Sequence, residues 1–292
     1  MEELRLQTPV QAGKSRIRLS VSDRTVLLGS CFADNIGERM RALGMDVLVN
    51  PFGTLYNPVS ICNSVARLSS GAPFTVKDCV EMGSGAGLVC SFSHHTSFAR
   101  PTAGEFLENA NSALAKASEA WKAAGKVIIT LGTAWCFESV RTGEIVSNCL
   151  KIDAKEFRRR RLDAGEVTSV LKSLVRRFPE KEFIFTVSPV RHLKDGAHGN
   201  QLSKATLLLA ADCVVRAFPD RAEYFPAYEI VMDELRDYRF YAPDMIHLSE
   251  QATGHIWARF AEWAIPETEF PELERRRREL AAASHRPHFL NK

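Results

Sequence analysis

The chain holds 292 residues, 45% hydrophobic, 25% charged and 9% aromatic, with a formal net charge of +3. Such a composition belongs to an ordinary globular protein and not to a disordered one, and so small a charge argues against nucleic acid or a charged membrane surface as partner. No run approaches the ~18 consecutive apolar residues that span a bilayer, and seven scattered cysteines without a Cys-x-x-Cys pair argue against a disulfide framework or zinc ribbon and for a reducing, cytoplasmic setting.

In chain order, MEELRLQTPVQAGKSRIRLS at the start lacks the apolar stretch and small-residue cleavage site of a secretory signal. TVLLGS (25–30) predicts a strand, 33–43 a helix and DVLVN (46–50) a weaker strand. Residues 71–104 predict an irregular excursion or small β insertion; within it GSGAG (83–87) has no Lys-Ser/Thr after it and reads as a turn, not a phosphate cradle. A helix over 105–124 ends at Gly125, KVIITLG (126–132) is a strand, and 133–165 contains a hairpin around Thr142-Gly143. KEFRRRRLD (155–163), with acidic neighbours and few aromatics, reads as a solvated helix end. A helix over 166–178, closed by Phe178-Pro179, precedes the strand EFIFTVSP (182–189) and a helix over 200–217. Residues 219–247 mix aromatics, prolines and charges without steady period, and PELERRRRELAAASHRPHFLNK reads as an exposed charged helix with a loose tail.

The strands at 25, 126 and 182 are near-continuous apolar runs, the pattern of strands buried on both faces of a parallel sheet, and they alternate with helices. The expected fold is α/β: a single doubly wound, flavodoxin-like, mostly parallel sheet flanked by helices, with loop insertions. Without an internal repeat or linker the chain reads as one domain over 1–292, its core about 20–263 and a C-terminal helix and tail over 264–292. Open sheets of this kind bind ligands outside the carboxyl ends of their strands. Gly29–Cys31, Gly132–Trp135 and Ser188–His192 each follow a strand end and should gather on one rim.

The turn after the first strand, Gly29-Ser30-Cys31-Phe32-Ala33, resembles the signature of the GSCFA family, a branch of the SGNH (GDSL-like) hydrolase superfamily. The resemblance continues through NPFGTLYNPVSI (50–61), HHTSF (94–98), ITLGTAW (129–135), VSPVRHLKDGAHGNQLSKATL (187–207) and YFPAYEIVMDELRDYRFYAPDMIHLS (224–249), spanning roughly residues 20 to 263. It implies an acyl-transfer site with a nucleophile after strand one, oxyanion donors from a glycine and a Gly-x-Asn block, and a late Asp-x-x-His. Asp244-Met245-Ile246-His247 matches the last block: the carboxylate fixes the imidazole tautomer while the other nitrogen takes the nucleophile's proton. Laid over Gly-Asp-Ser, the turn puts Cys31 at the nucleophile position, with Ser30 as second choice after a slip of one residue. A thiol at a helix start is expected to have a lowered pKa. Cys62, Cys79, Cys90, Cys136, Cys149 and Cys213 have no such support and read as core fillers.

The resemblance also puts Gly53 at the oxyanion glycine. Ala134 stands where the superfamily has Asn, and losing such a donor costs about 3–4 kcal/mol. Thr133, Asn57 or Asn148 are the candidate replacements, or the hole relies on the amides of Cys31 and Gly53. His94 and His95 are read as pocket-lining or as hydrogen-bond partners behind the pocket, His192 as substrate-binding or as a loop residue bonded to a carbonyl, and His255 as structural. No His/Cys/Asp/Glu spacing fits a metal ion, and no cofactor is expected. The expected function is an acyl hydrolase (esterase) or acyltransferase acting through an acyl-enzyme on a small-molecule or carbohydrate ester. A thiol nucleophile tilts the balance slightly toward thioester donors. The alternative is a carbohydrate- or partner-binding module that keeps the fold. Oligomeric state is left open. The aromatic stretch over 224–241 is expected to be a lid or a plug, its charges Glu229, Asp233, Arg236, Asp237 and Arg239 pairing among themselves.

Overall fold

A computed structural model describes residues 7–284. In chain order these form β1 (Thr25–Gly29), α1 (Cys31–Ala42), β2 (Val47–Val49), α2 (Pro58–Ser70), the hairpin strands β3 (Val80–Glu81) and β4 (Val89–Cys90), α3 (Ala103–Ala123), β5 (Lys126–Leu131), β6 (Trp135–Ser139), β7 (Ile145–Val146), β8 (Phe157–Arg161), α4 (Ala164–Arg177), β9 (Glu182–Val187), α5 (Gly196–Ala217), β10 (Ala222–Tyr224), the single turn α6 (Ala227–Glu229), α7 (Glu250–Ala264) and α8 (Phe270–Ser284).

Five strands pair in parallel in the order β10-β9-β5-β1-β2. Renumbered within the sheet this is the 2-1-3-4-5 order of doubly wound flavodoxin-like proteins, with the winding direction switching between β1 and β5. Leu27, Ile128 and Ile184 face α1, α7 and the segment around Phe225 and Ile230, while Val26, Leu28, Ile129, Phe183 and Phe185 face α2, α3, α4 and α5. Helices on both sides exclude water from both faces, which is why the strand sequences are apolar without alternation. Helix ends follow local chemistry. Asn57 caps α2 ahead of Pro58, and Asp163 and Glu166 close a capping box on α4.

The hairpin expected around Thr142-Gly143 joins β6 to β7, with Gly143 at φ 71°. KEFRRRRLD is not a helix end: Phe157–Arg161 is β8, antiparallel to β6. Its side chains alternate, so Arg158 and Arg160 reach Glu138 from one face and Arg159 reaches Asp195 from the other. β10 lies in the stretch expected to be irregular, and α2 is a further helix. The N-terminal segment is tied to β10 by the buried carboxylate of Glu223, which accepts the amides of Arg16 and Ile17 and the hydroxyl of Ser15.

Within 224–241, Ile230 and Val231 are buried in a π-helical turn (Ile230–Glu234), a plug under the sheet. Of its charges Asp237 and Arg239 pair, whereas Glu229 accepts the Tyr224 hydroxyl. The expected C-terminal helix is α8, docked by Arg276 on the Leu43 carbonyl at 2.9 Å; the expected tail lies outside the described residues. Among the described residues no helix is long and apolar enough to cross a membrane.

Gly29 has φ 136°, and a Cβ there would collide with the Thr130 carbonyl of the paired strand. Gly29→Ala therefore combines backbone strain with a clash against main chain and should lose at least about 3 kcal/mol of unfolding free energy in urea titration. A loss under about 1 kcal/mol would show that the turn relaxes freely.

Candidate active site

The β1–α1 turn is clamped before any chemistry is considered. The Gly29 amide donates to Asn50 Oδ1 at 2.8 Å and the Ser30 amide to the Thr130 carbonyl at 3.2 Å. Asn50, itself left-handed at φ 41°, passes its Nδ2 to Asp34 Oδ1 at 2.7 Å. Ser30 is fully buried and its Oγ accepts the Phe32 amide at 3.3 Å, so its hydroxyl is the N-cap of α1. Cys31 is the first residue of that helix and is only half-buried. The two neighbours thus divide the work, one holding the helix start and one presenting a thiol.

The expectation of a lowered thiol pKa is overturned. Burial, followed by the Asp34 carboxylate, pushes the Cys31 thiol up, against the pull of the Cys31 and Phe32 amides and of Lys204. Desolvation disfavours the thiolate more than two amide dipoles favour it, so the resting sulfur is a thiol in want of a base. Burial also raises Asp34 and the Tyr56 phenol beside it.

Asp244 and His247 meet as their spacing demands. His247 Nδ1 lies 2.6 Å from Asp244 Oδ2, while Asp244 Oδ1 accepts the Ile246 and His247 amides, both at 2.9 Å. Met245, at φ 57°, makes the tight turn between them. These bonds hold Asp244 down at about 2, the imidazole first among them. The turn is pinned to the carboxyl end of β9 by the Arg191 amide on the Ile246 carbonyl at 3.3 Å. Both side chains are exposed, and among the described residues no hydrogen bond joins His247 to Cys31.

The oxyanion candidates separate. The Gly53 amide is occupied by the Asn50 carbonyl at 2.8 Å, and its φ of 80° serves a turn packed on His95, where a Cβ would collide. Asn57 spends its side chain on Ser60 as the α2 cap, and Asn148 Oδ1 takes the Leu150 amide in a local turn. The Thr133 amide is bonded to the Tyr56 carbonyl at 2.9 Å, and its hydroxyl accepts the Trp135 amide at 3.1 Å and pairs with Ser203 Oγ at 3.0 Å; the residue lines a cleft of about 310 Å³. Tyr56, Asn57, Trp135 and His192 line the same cleft.

His94 does not line it. The ring is fully buried among Phe52, Phe74, Phe98 and Phe106, bonded through Nδ1 to Ser91 Oγ at 2.6 Å, and burial drives its pKa down to about 3. His95 uses Nδ1 to accept the Ser97 amide at 3.2 Å. His192 is on the cleft wall, edge-on to Tyr56 with centroids 5.6 Å apart, and burial lowers it to about 4. Its buried Nε2 has no hydrogen-bond partner among the described residues, and its amide donates to Asn200 Oδ1 at 3.0 Å. His255 Nε2 lies 2.7 Å from Glu234 Oε2. Among the described residues no group of three or more His, Cys, Asp or Glu could hold a metal ion.

Sequence reading passed over Asn50, Asp34 and Lys204. Lys204 is 1% exposed, and its Nζ donates to the Gly132 carbonyl at 2.7 Å and the Ser188 carbonyl at 2.6 Å, at the ends of β5 and β9. The available signal was a lysine on the same face of α5 as the buried Leu207 and Ala211.

The family model described as the GSCFA family matches residues 24–260. No curated protein matches the chain. Among solved structures, one from Streptococcus pneumonia, described as a candidate platelet activating factor, is similar over 82% of this chain and 84% of its own, at 12% identity and a TM-score of 0.38.

A His94 pKa of about 3 against 6.5 in an unfolded chain means that the unfolded state binds the extra proton between those values. Its contribution to stability is complete above pH 6.5 and falls as pH drops through that window, by roughly 3 kcal/mol at pH 4. Urea titrations from pH 7 to 4 should show a shallower decline in His94→Phe; an identical slope would show that the ring is not buried as a neutral imidazole.

Proposed function

The chain belongs to the GSCFA family, and from that premise we propose that it is an SGNH-type acyl hydrolase or acyltransferase working through a covalent acyl-enzyme on Cys31. The observation that carries the reading is the Asp244–His247 dyad, docked to the end of β9 on the rim where α1 presents Cys31. With Nδ1–H of His247 donating to the Asp244 carboxylate, Nε2 is the basic nitrogen. A thiol whose pKa burial raises needs such a base, and the proton would pass to Nε2 as sulfur attacks the ester carbonyl.

The tetrahedral oxygen would sit at the N-terminus of α1, where the Cys31 amide and the helix dipole favour negative charge, with the Thr133 hydroxyl as the side-chain donor from the cleft. The imidazolium then protonates the departing alkoxide. Water or an acceptor hydroxyl gives its proton to Nε2, attacks the thioester and frees the sulfur. Acylated carbohydrate is the substrate class suggested by the likeness to SGNH enzymes, and a thioester intermediate suits transfer as well as hydrolysis.

A second reading, a binding module on the same fold, is favoured by Ala134 at the expected Asn position and by the lack of a Cys31–His247 hydrogen bond among the described residues. Steady-state turnover of p-nitrophenyl acetate separates the two. Cys31→Ala should abolish it, Asp244→Asn should lower it roughly 10²–10⁴-fold, and Ser30→Ala should retain it while losing about 1 kcal/mol of stability with the helix cap. Abolition by Ser30→Ala with full turnover in Cys31→Ala would transfer the role to serine, and no turnover in the wild type would favour the binding module.

A further inference from the structure

Lys204 stands in an unusual setting: an ammonium sealed from solvent, bonded to two main-chain carbonyls, with no carboxylate partner among the described residues. Strand register locates it. Gly29 is level with Thr130, and Leu131 with Val187. One residue beyond the β5–β9 pair Gly132 is level with Ser188, whose carbonyls Lys204 bridges, and Cys31 opens α1 two residues after Gly29.

We propose, on the footing of the Cys31 reading above, that Lys204 is the positioning residue of this centre. Its buried ammonium, fixed to the ends of β5 and β9, is the counter-charge that lets the Cys31 sulfur become anionic.

The charged and titratable groups around the pair are few. Asp34 on α1 and Tyr56 ahead of α2 face Cys31, and His192 after β9 faces Lys204. Asp34 opposes the thiolate, and His192 is neutral near pH 7, which leaves Lys204 as the nearby cation that favours it. Burial draws Lys204 down to about 7, and Cys31 is the group that pulls it back up. Two carbonyl acceptors favour an ammonium over an amine. Each group thus favours the charged form of the other, and the two titrate as a unit.

The test follows iodoacetamide alkylation of Cys31 across pH 6–10, read by peptide mass, in wild type, Lys204→Met and Lys204→Arg. Lys204→Met should move the alkylation profile up by about one pH unit, a tenfold slower rate at pH 7, and Lys204→Arg should restore part of the shift. An unchanged profile in folded Lys204→Met overturns the proposal, whereas a wild-type Cys31 that no pH renders reactive overturns the underlying reading instead. If Lys204→Met does not fold, ¹³Cε-lysine NMR decides in protein that keeps the lysine. By reciprocity the Lys204 resonance should titrate at lower pH in Cys31→Ser than in wild type, and identical titrations would refute the coupling.

Discussion

The site depends on one close approach: at Gly29 the chain leaves the sheet against the Thr130 carbonyl with no room for a side chain. Everything nearby is arranged around that contact. Asn50 holds the Gly29 amide, Asp34 holds Asn50, and the Ser30 amide takes the Thr130 carbonyl itself. Because β1 and β5 flank the point where the winding reverses, this turn opens into the gap between diverging connections. Ser30 then closes the helix start, and the half-buried Cys31 is the first residue of α1.

The electrostatics of the rim are a balance in which no single group prevails. Burial and Asp34 oppose a Cys31 thiolate; two helix amides and Lys204 favour it. The outcome in the resting protein is a protonated sulfur, while Asp244 and His247 lie on a separate exposed turn. There the two side chains are bonded to each other, which fixes the orientation of the imidazole. His192, neutral through burial, is near both His247 and Lys204 and adds no competing charge.

Much of this was legible in the sequence where a single residue pattern determines the outcome. Apolar runs without alternation identified β1, β5 and β9, and the Asp-x-x-His spacing foretold the dyad. What escaped depends on partners distant in sequence. Phe157–Arg161 looks like a solvated helix end until Glu138 across the ladder and Asp195 behind it take its arginines. β10 is three residues long and carries a glutamate, buried because the N-terminal segment supplies its donors. His94 resembles a pocket residue until phenylalanines from separate segments enclose it. Lys204 bonds only main-chain carbonyls, which leave no trace in side-chain identity. Ser30 is the opposite case, since serine at the residue before a helix is a readable cap, and the structure buries it in that role.

The central claim is that acyl groups pass through the Cys31 sulfur. The direct measurement is peptide-level mass mapping of wild-type protein quenched in acid seconds after mixing with p-nitrophenyl acetate. One acetyl group per chain is expected, on Cys31, discharged on longer incubation at neutral pH. An acetyl group on Ser30, or steady release of nitrophenol with Cys31 free at every time point, would contradict it.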